Sequence, residues 1–252
     1  EANEWGEPEV VLAADRIPCR PEHPRLSADG EVIPDMTNEM ARKGAAKDIL
    51  TIAGTNLDEY RLFAMMEPPD FKLDDAALAK RLSEFVEPDG VPVLVDTYRA
   101  FLEKRGEPAA NRNVWSAIQT DMMFRMPALE FVEAQTANGQ KAYNYLFTWT
   151  NPGGGPLGAC HALEIGFVFG AMEPLFCGTG PDADRLSDCM QEAWLNFART
   201  GDPSGKGIGD WPPYGTERNT MLLGKDCRVE KAPYDDVRAV WERVTVKKSP
   251  MP

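Results

Sequence analysis

Apolar positions along the chain switch between short β-like runs and stretches with helical spacing. Asp48-Ile-Leu-Thr-Ile-Ala-Gly54 is a brief run with β-branched residues, closed by glycine, and reads as a buried strand. Thr55 to Glu59 therefore fall on a strand-exit loop. Leu78, Leu82, Phe85 and Val86 recur at helical spacing between Asp74 and Val86, and Pro88-Asp-Gly90 stops that helix. A second helix is expected from Val93 to Lys104, closed by Gly106. A third pattern runs from Asn113 to Thr136, and Pro127 within it predicts a break or kink at that point.

Ala142 to Trp149 is the clearest strand. Tyr143, Tyr145, Phe147 and Trp149 alternate with Ala142, Asn144, Leu146 and Thr148, giving two faces that can both be covered. Trp194 and the aromatic row of this strand are expected in the core. Leu186, Met190, Ala193, Trp194 and Phe197 mark an amphipathic helix, with Arg199 in its last turn and Gly201 and Pro203 as stop signals. Met221 to Val229 reads as a turn between short strands, and Asp235 to Val244 as a closing helix. Residues 1–47, rich in proline and charge, read as an irregular lead-in. Strands alternating with helices, with no repeat and no linker, argue for an α/β arrangement in one domain.

Composition narrows the function classes. The chain has 252 residues, 43% of them hydrophobic, which fits a globular protein with a substantial core. Its net charge of −13 opposes a phosphate backbone or an anionic membrane surface, so no nucleic-acid partner is expected. The same charge mildly favours neutral or cationic substrates. No run is long and apolar enough for a membrane span. The start, Glu1-Ala-Asn-Glu-Trp-Gly-Glu, has neither an initiator methionine nor a signal-peptide pattern, so an upstream segment is expected. The five cysteines are scattered, with no Cys-x-x-Cys pair or His-x-x-x-His spacing, and no metal or other cofactor is expected. Together with the absence of Asn-x-Ser/Thr sequons, they point toward a bacterial or cytoplasmic protein, secretion or a periplasmic location being left open by the upstream segment.

Two histidines are present. His23 lies between prolines in Pro21-Glu-His-Pro-Arg25 and reads as a surface loop residue. His161 stands on a glycine-flanked loop, just before an apolar run that carries Glu164, and is the candidate general base. Glu59 and His161 each follow a strand, and strand exits are where reacting groups gather in α/β sheets. A carboxylate on one ring nitrogen would fix the tautomer and stabilise the imidazolium. The nucleophile is missing: Gly-x-Ser-x-Gly does not occur. Cys160 is a poor substitute, because neighbouring loop side chains seldom face one another. Asp121 reads as a salt-bridge anchor. The run Asn151 to Gly158 lacks the Lys-Ser/Thr of a phosphate cradle.

Five stretches carry a family resemblance: Gly54 to Glu59, Asp121 to Pro127, Gly158 to Gly170, Trp194 to Pro203, and Trp211-Pro. In this order they resemble the type-B carboxylesterases, which include cholinesterases and para-nitrobenzyl esterases. The resemblance spans about residues 30–245 and only the C-terminal half of that family's catalytic domain. It implies an α/β-hydrolase fold, C-terminal portion, comprising the last strands of the central sheet and their covering helices, with residues 1–252 forming part of a single domain. It implies Glu59 as triad acid, His161 as triad base and Glu164 as a supporting carboxylate, an arginine-paired structural role being the other reading of Glu164. Serine and oxyanion loop would lie upstream. Tyr60 departs from the family's usual glycine, and Gly166 from a larger residue or proline.

The implied activity is carboxylic-ester hydrolysis of a small-molecule ester by a Ser-Glu-His triad, without a cofactor. The chain is expected to need the N-terminal half of the same hydrolase as a companion chain or precursor segment. The other class is a non-catalytic, cholinesterase-like binding or adhesion domain, against which the joint presence of Glu59 and His161 argues.

Overall fold

The computed structural model describes residues 34–67 and 73–247. A helix α1 (Thr37–Arg42) precedes strand β1 (Thr51–Asn56), followed by helices α2 (Tyr60–Ala64), α3 (Asp75–Leu82), α4 (Val91–Lys104) and α5 (Asn111–Thr120). A π-helical turn, Asp121–Arg125, joins α5 to α6 (Met126–Ala137). Then come β2 (Ala142–Phe147), α7 (Leu163–Val168), α8 (Pro174–Cys177), α9 (Pro181–Thr200), β3 (Asn219–Leu223), β4 (Arg228–Lys231) and α10 (Asp235–Arg243).

The strands form one sheet in the order β1-β2-β3-β4, with β1, β2 and β3 parallel and β4 antiparallel to β3. Helices cover both faces, as a parallel sheet requires. On one face Tyr143 and Phe147 of β2 pack with Phe167 of α7 and with Leu186, Met190 and Ala193 of α9. On the other, Val132 of α6 packs with Ala142 and Tyr214. A further core joins α3, α4, α5 and α10, where Leu94, Leu102 and Ile118 are buried. Burying each such side chain contributes about 1.5–3 kcal/mol. Buried Asn144 is kept in register by its own bonds, donating to Ala53 O at 3.0 Å and accepting from Thr220 Oγ1 at 3.0 Å.

Local signals explain most element ends. Asp74 caps α3 by accepting from Ala77 N at 2.8 Å. Gly201, at φ 76°, ends α9 in the left-handed conformation that glycine adopts without strain.

Four expectations are corrected. Residues 34–47 of the lead-in contain α1, whose Ala41 is buried and whose Ala41 carbonyl accepts from Asn138 Nδ2 at 2.8 Å. Tertiary packing on α6, rather than periodicity, stabilises that helix; the earlier lead-in residues and His23 lie outside the described residues. Gly54 sits inside β1 rather than ending it, and Thr55 and Asn56 belong to the strand, paired with Leu146 and Phe147, rather than to its exit loop; the glycine is there because a Cβ would lie 2.4 Å from Tyr145 O and from the Tyr145 ring. The irregularity expected at Pro127 falls on Asp121–Arg125, immediately upstream, where the π-helical widening lets the chain enter α6 with Pro127 in its first turn. Trp194 is half-buried: its ring rests on Tyr145 and Trp211, with centroids 5.4 and 6.1 Å away, and its outer side faces solvent.

Candidate active site

Two chain reversals at the carboxyl ends of β1 and β2 bring Glu59 and His161 together across 102 positions of sequence. Glu59 closes the turn between β1 and α2 and is buried, with Oε1 accepting the Asn56 backbone N–H at 2.7 Å. Its Oε2 lies 2.7 Å from His161 Nδ1. A carboxylate only accepts, so Nδ1 carries the proton and Nε2 is the ring nitrogen left to exchange one.

The loop carrying His161 is tied to the β1 exit by several bonds. Asp58 N donates to Ala159 O at 3.0 Å, and Ala159 N donates to Asp58 Oδ2 at 3.0 Å. His161 N donates to Glu59 O at 3.3 Å, and Asn56 Nδ2 donates to Cys160 O at 2.7 Å. Leu57 N continues the sheet by donating to Phe147 O at 2.9 Å. Immediately after the histidine, Ala162 takes a left-handed conformation, φ 66°, and α7 begins.

The imidazole has 33% of its side-chain surface exposed, against 7% for Glu59. The rings of Phe63 and Phe124 approach it, with centroids 5.1 and 5.2 Å away, and stack on each other. Phe124 comes from the π-helical turn, which is anchored by a two-point pairing of Asp121 with Arg125 and by Tyr98.

Electrostatics suit a proton acceptor. The bond to Glu59 raises the His161 pKa above the ordinary 6.5, partly offset by burial. Glu164, on the first turn of α7, is held above the usual carboxylate range by burial, which its hydrogen bond from Asn56 Nδ2 opposes. The neighbour it bonds is therefore an amide, not an arginine. Burial pushes the Cys160 thiol up to about 11, and its side chain is fully enclosed, which disfavours it as a nucleophile. Asp121 is the salt-bridge anchor expected. Among the described residues no His/Cys/Asp/Glu group could hold a metal ion, and no helix is long and apolar enough to cross a membrane.

Sequence reasoning reached Glu59, His161 and Glu164, and passed over Asn56, Asp58, Phe63, Phe124 and Arg105. Asn56 and Asp58 stand inside the Gly54 to Glu59 stretch, so the signal was present. Arg105 reaches Asp58 from the end of α4 at 2.9 Å, and no local pattern announces it.

The chain is similar to known proteins in sequence and in fold. A model of the carboxylesterase family matches residues 16–241. The Bacillus subtilis para-nitrobenzyl esterase is 30% identical over 222 residues, covering 83% of this chain and 41% of that enzyme. Human bile salt-activated lipase is 29% identical over 244 residues, covering 86% of this chain and 32% of the lipase. The crystal structure of a Geobacillus stearothermophilus carboxylesterase at pH 6.2 superposes with a TM-score of 0.71 at 31% identity, covering 85% of this chain and 44% of that one. The chain thus spans less than half the length of each of these relatives, and their fold is the α/β-hydrolase fold of which this sheet and its helices form a part. With nine-tenths of its length inside the matched region, the chain belongs to the carboxylesterase family.

Proposed function

We propose that the chain is the C-terminal part of a single α/β-hydrolase domain that hydrolyses carboxylic esters through a Ser-Glu-His triad. Glu59 and His161 are its acid and base; the serine and the oxyanion donors come from the complementary N-terminal part of the enzyme. The serine oxygen attacks the ester carbonyl while His161 Nε2 takes its proton. The imidazolium then protonates the leaving alcohol, and the acyl-serine remains. Water repeats the cycle: it gives a proton to Nε2, its oxygen bonds the acyl carbon, and the proton returns to the serine as the acid leaves. Glu59 holds the Nδ1–H tautomer and stabilises the imidazolium throughout. Glu164 supports the site through Asn56.

The observation that carries this reading is the 2.7 Å bond between buried Glu59 and partly exposed His161 at paired strand exits. A binding module needs no such pair. The asymmetry of the sheet supports a complementary part. Outer strand β4 carries Arg228, Glu230 and Lys231, charges that suit a free edge. At the β1 edge, Ile49 and Leu50 are 61% and 45% exposed, an apolar margin on which further strands can add.

Turnover of a p-nitrophenyl acyl ester by the complete enzyme tests the assignment. His161→Ala is expected to lower kcat on the order of 10⁴-fold. Near-parental turnover by that variant would overturn it.

A further inference from the structure

We propose that Asp58 is a positioning residue for the His161 base, acting through the loop and not through the ring. This rests on the esterase reading above. Asp58 is 4% exposed, yet its carboxylate is fully engaged. Oδ2 accepts Ala159 N at 3.0 Å, while Oδ1 meets Arg105 NH2 at 2.9 Å and Arg61 NH2 at 3.0 Å. Both arginines also pair with Glu107, so two acids and two bases close a compact, charge-balanced group beneath the site.

The geometry points to the loop as what this group holds. Asp58 bonds Ala159 twice, by backbone N–H and by carboxylate, two residues before His161. Gly158 lies against the same carboxylate: it adopts φ +58°, and a Cβ there would come within 2.4 Å of Asp58 Oδ2. Without the carboxylate the Ala159 N–H is buried and unpaired, and two arginines face Glu107 alone. The base loop then keeps the backbone bond from Asp58 N to Ala159 O and the bonds from Asn56 and from His161 N to the β1 exit, but loses the one that fixes the Ala159 N–H. Reacting groups tolerate displacement poorly, with about 1 Å of misplacement costing roughly 10²-fold in rate. Asp58 touches no reacting atom, so its effect must appear as disorder of the Glu59–His161 bond.

The imidazole resonance that disappears in His161→Ala identifies His161, so that bond can be followed separately. The test combines steady-state kinetics with imidazole NMR of the complete enzyme labelled with ¹⁵N-histidine. Asp58→Ala is expected to lower kcat by about 30-fold with KM within about twofold, and to broaden the His161 Nδ1–H resonance by exchange with water. Asp58→Asn keeps an acceptor for Ala159 N–H and is expected to recover kcat to within about threefold of the parent, with partial broadening. If Asp58→Ala does not fold, Asp58→Asn alone decides through the resonance: one as sharp as the parent's overturns the proposal. So does parental behaviour of Asp58→Ala, or a loss carried wholly by KM. His161→Ala measured alongside separates the two readings. If His161→Ala stays active, the triad assignment itself fails; if it is inactive while both Asp58 variants behave as the parent, only the role of Asp58 fails.

Discussion

The Asn56 side-chain amide, at the end of β1, hydrogen-bonds both the Cys160 carbonyl and the Glu164 carboxylate, linking the acid turn to α7 across 108 positions of sequence. Asn56 is 1% exposed and Cys160 is fully buried, so no water can replace the amide at the Cys160 carbonyl. Asn56→Ala is therefore expected to destabilise the fold by about 1–3 kcal/mol, the cost of leaving a buried acceptor unpaired. Urea unfolding monitored by tryptophan fluorescence measures this; an unchanged midpoint would mean that the two bonds carry no net stability.

Activity and stability are expected to respond to pH in opposite directions at His161. As the proposed base, His161 works when neutral, and the bond to Glu59 raises its pKa above 6.5, so kcat/KM should fall as pH drops through that raised value. Stability has the other sign. A histidine whose folded pKa is raised stabilises the fold fully below the unfolded value, and loses that contribution as pH climbs through the folded one. The gap in melting temperature between the parent and His161→Gln should narrow as pH rises. A gap that widens would contradict the Glu59 bond.

Gly54→Ala is expected to destabilise by about 3 kcal/mol, the upper end of overpacking costs. The new methyl would sit 2.4 Å from Tyr145 O in the neighbouring strand, and backbone in a sheet cannot move aside as a side chain can. Thermal melting checks this, and an unchanged melting temperature would place the β1–β2 contact wrongly.

Asp121→Ala should cost about 3–5 kcal/mol, because it strands Arg125 as a buried, unpaired charge. Both partners are nearly enclosed, at 5% and 6% exposure. The same variant removes the acceptor for Tyr98 OH and loosens the π-helical turn that presents Phe124 to His161. Chemical denaturation gives the magnitude; a loss within about 0.5 kcal/mol would class the pair with surface ion pairs.

Much of this was legible in the residues. The aromatic alternation of Ala142 to Trp149 announced a strand covered on both faces, which ends at Phe147, and Gly201 marked a helix end by chemistry local to it. Glu59 and His161 could be read as partners because each follows a strand. Elements fixed by distant packing were not legible. Helix α1 depends on α6, Gly54 on a ring from another strand, and the widening at Asp121–Arg125 on a buried pairing with Tyr98. Arg105 is the clearest case: it lies 47 positions from Asp58, and only the fold brings them into contact.

The central claim is that Glu59 and His161 activate a serine supplied by the complementary part of the enzyme. Intact-mass measurement of every polypeptide in the purified enzyme, after brief exposure to an organophosphate probe, tests it most directly. A single phosphoryl adduct, formed as the serine oxygen displaces the probe's leaving group and mapped by peptide digestion to a serine outside residues 1–252, lost in His161→Ala over the same exposure, is the expected result. No adduct on any component, or one that forms equally fast without His161, would contradict it.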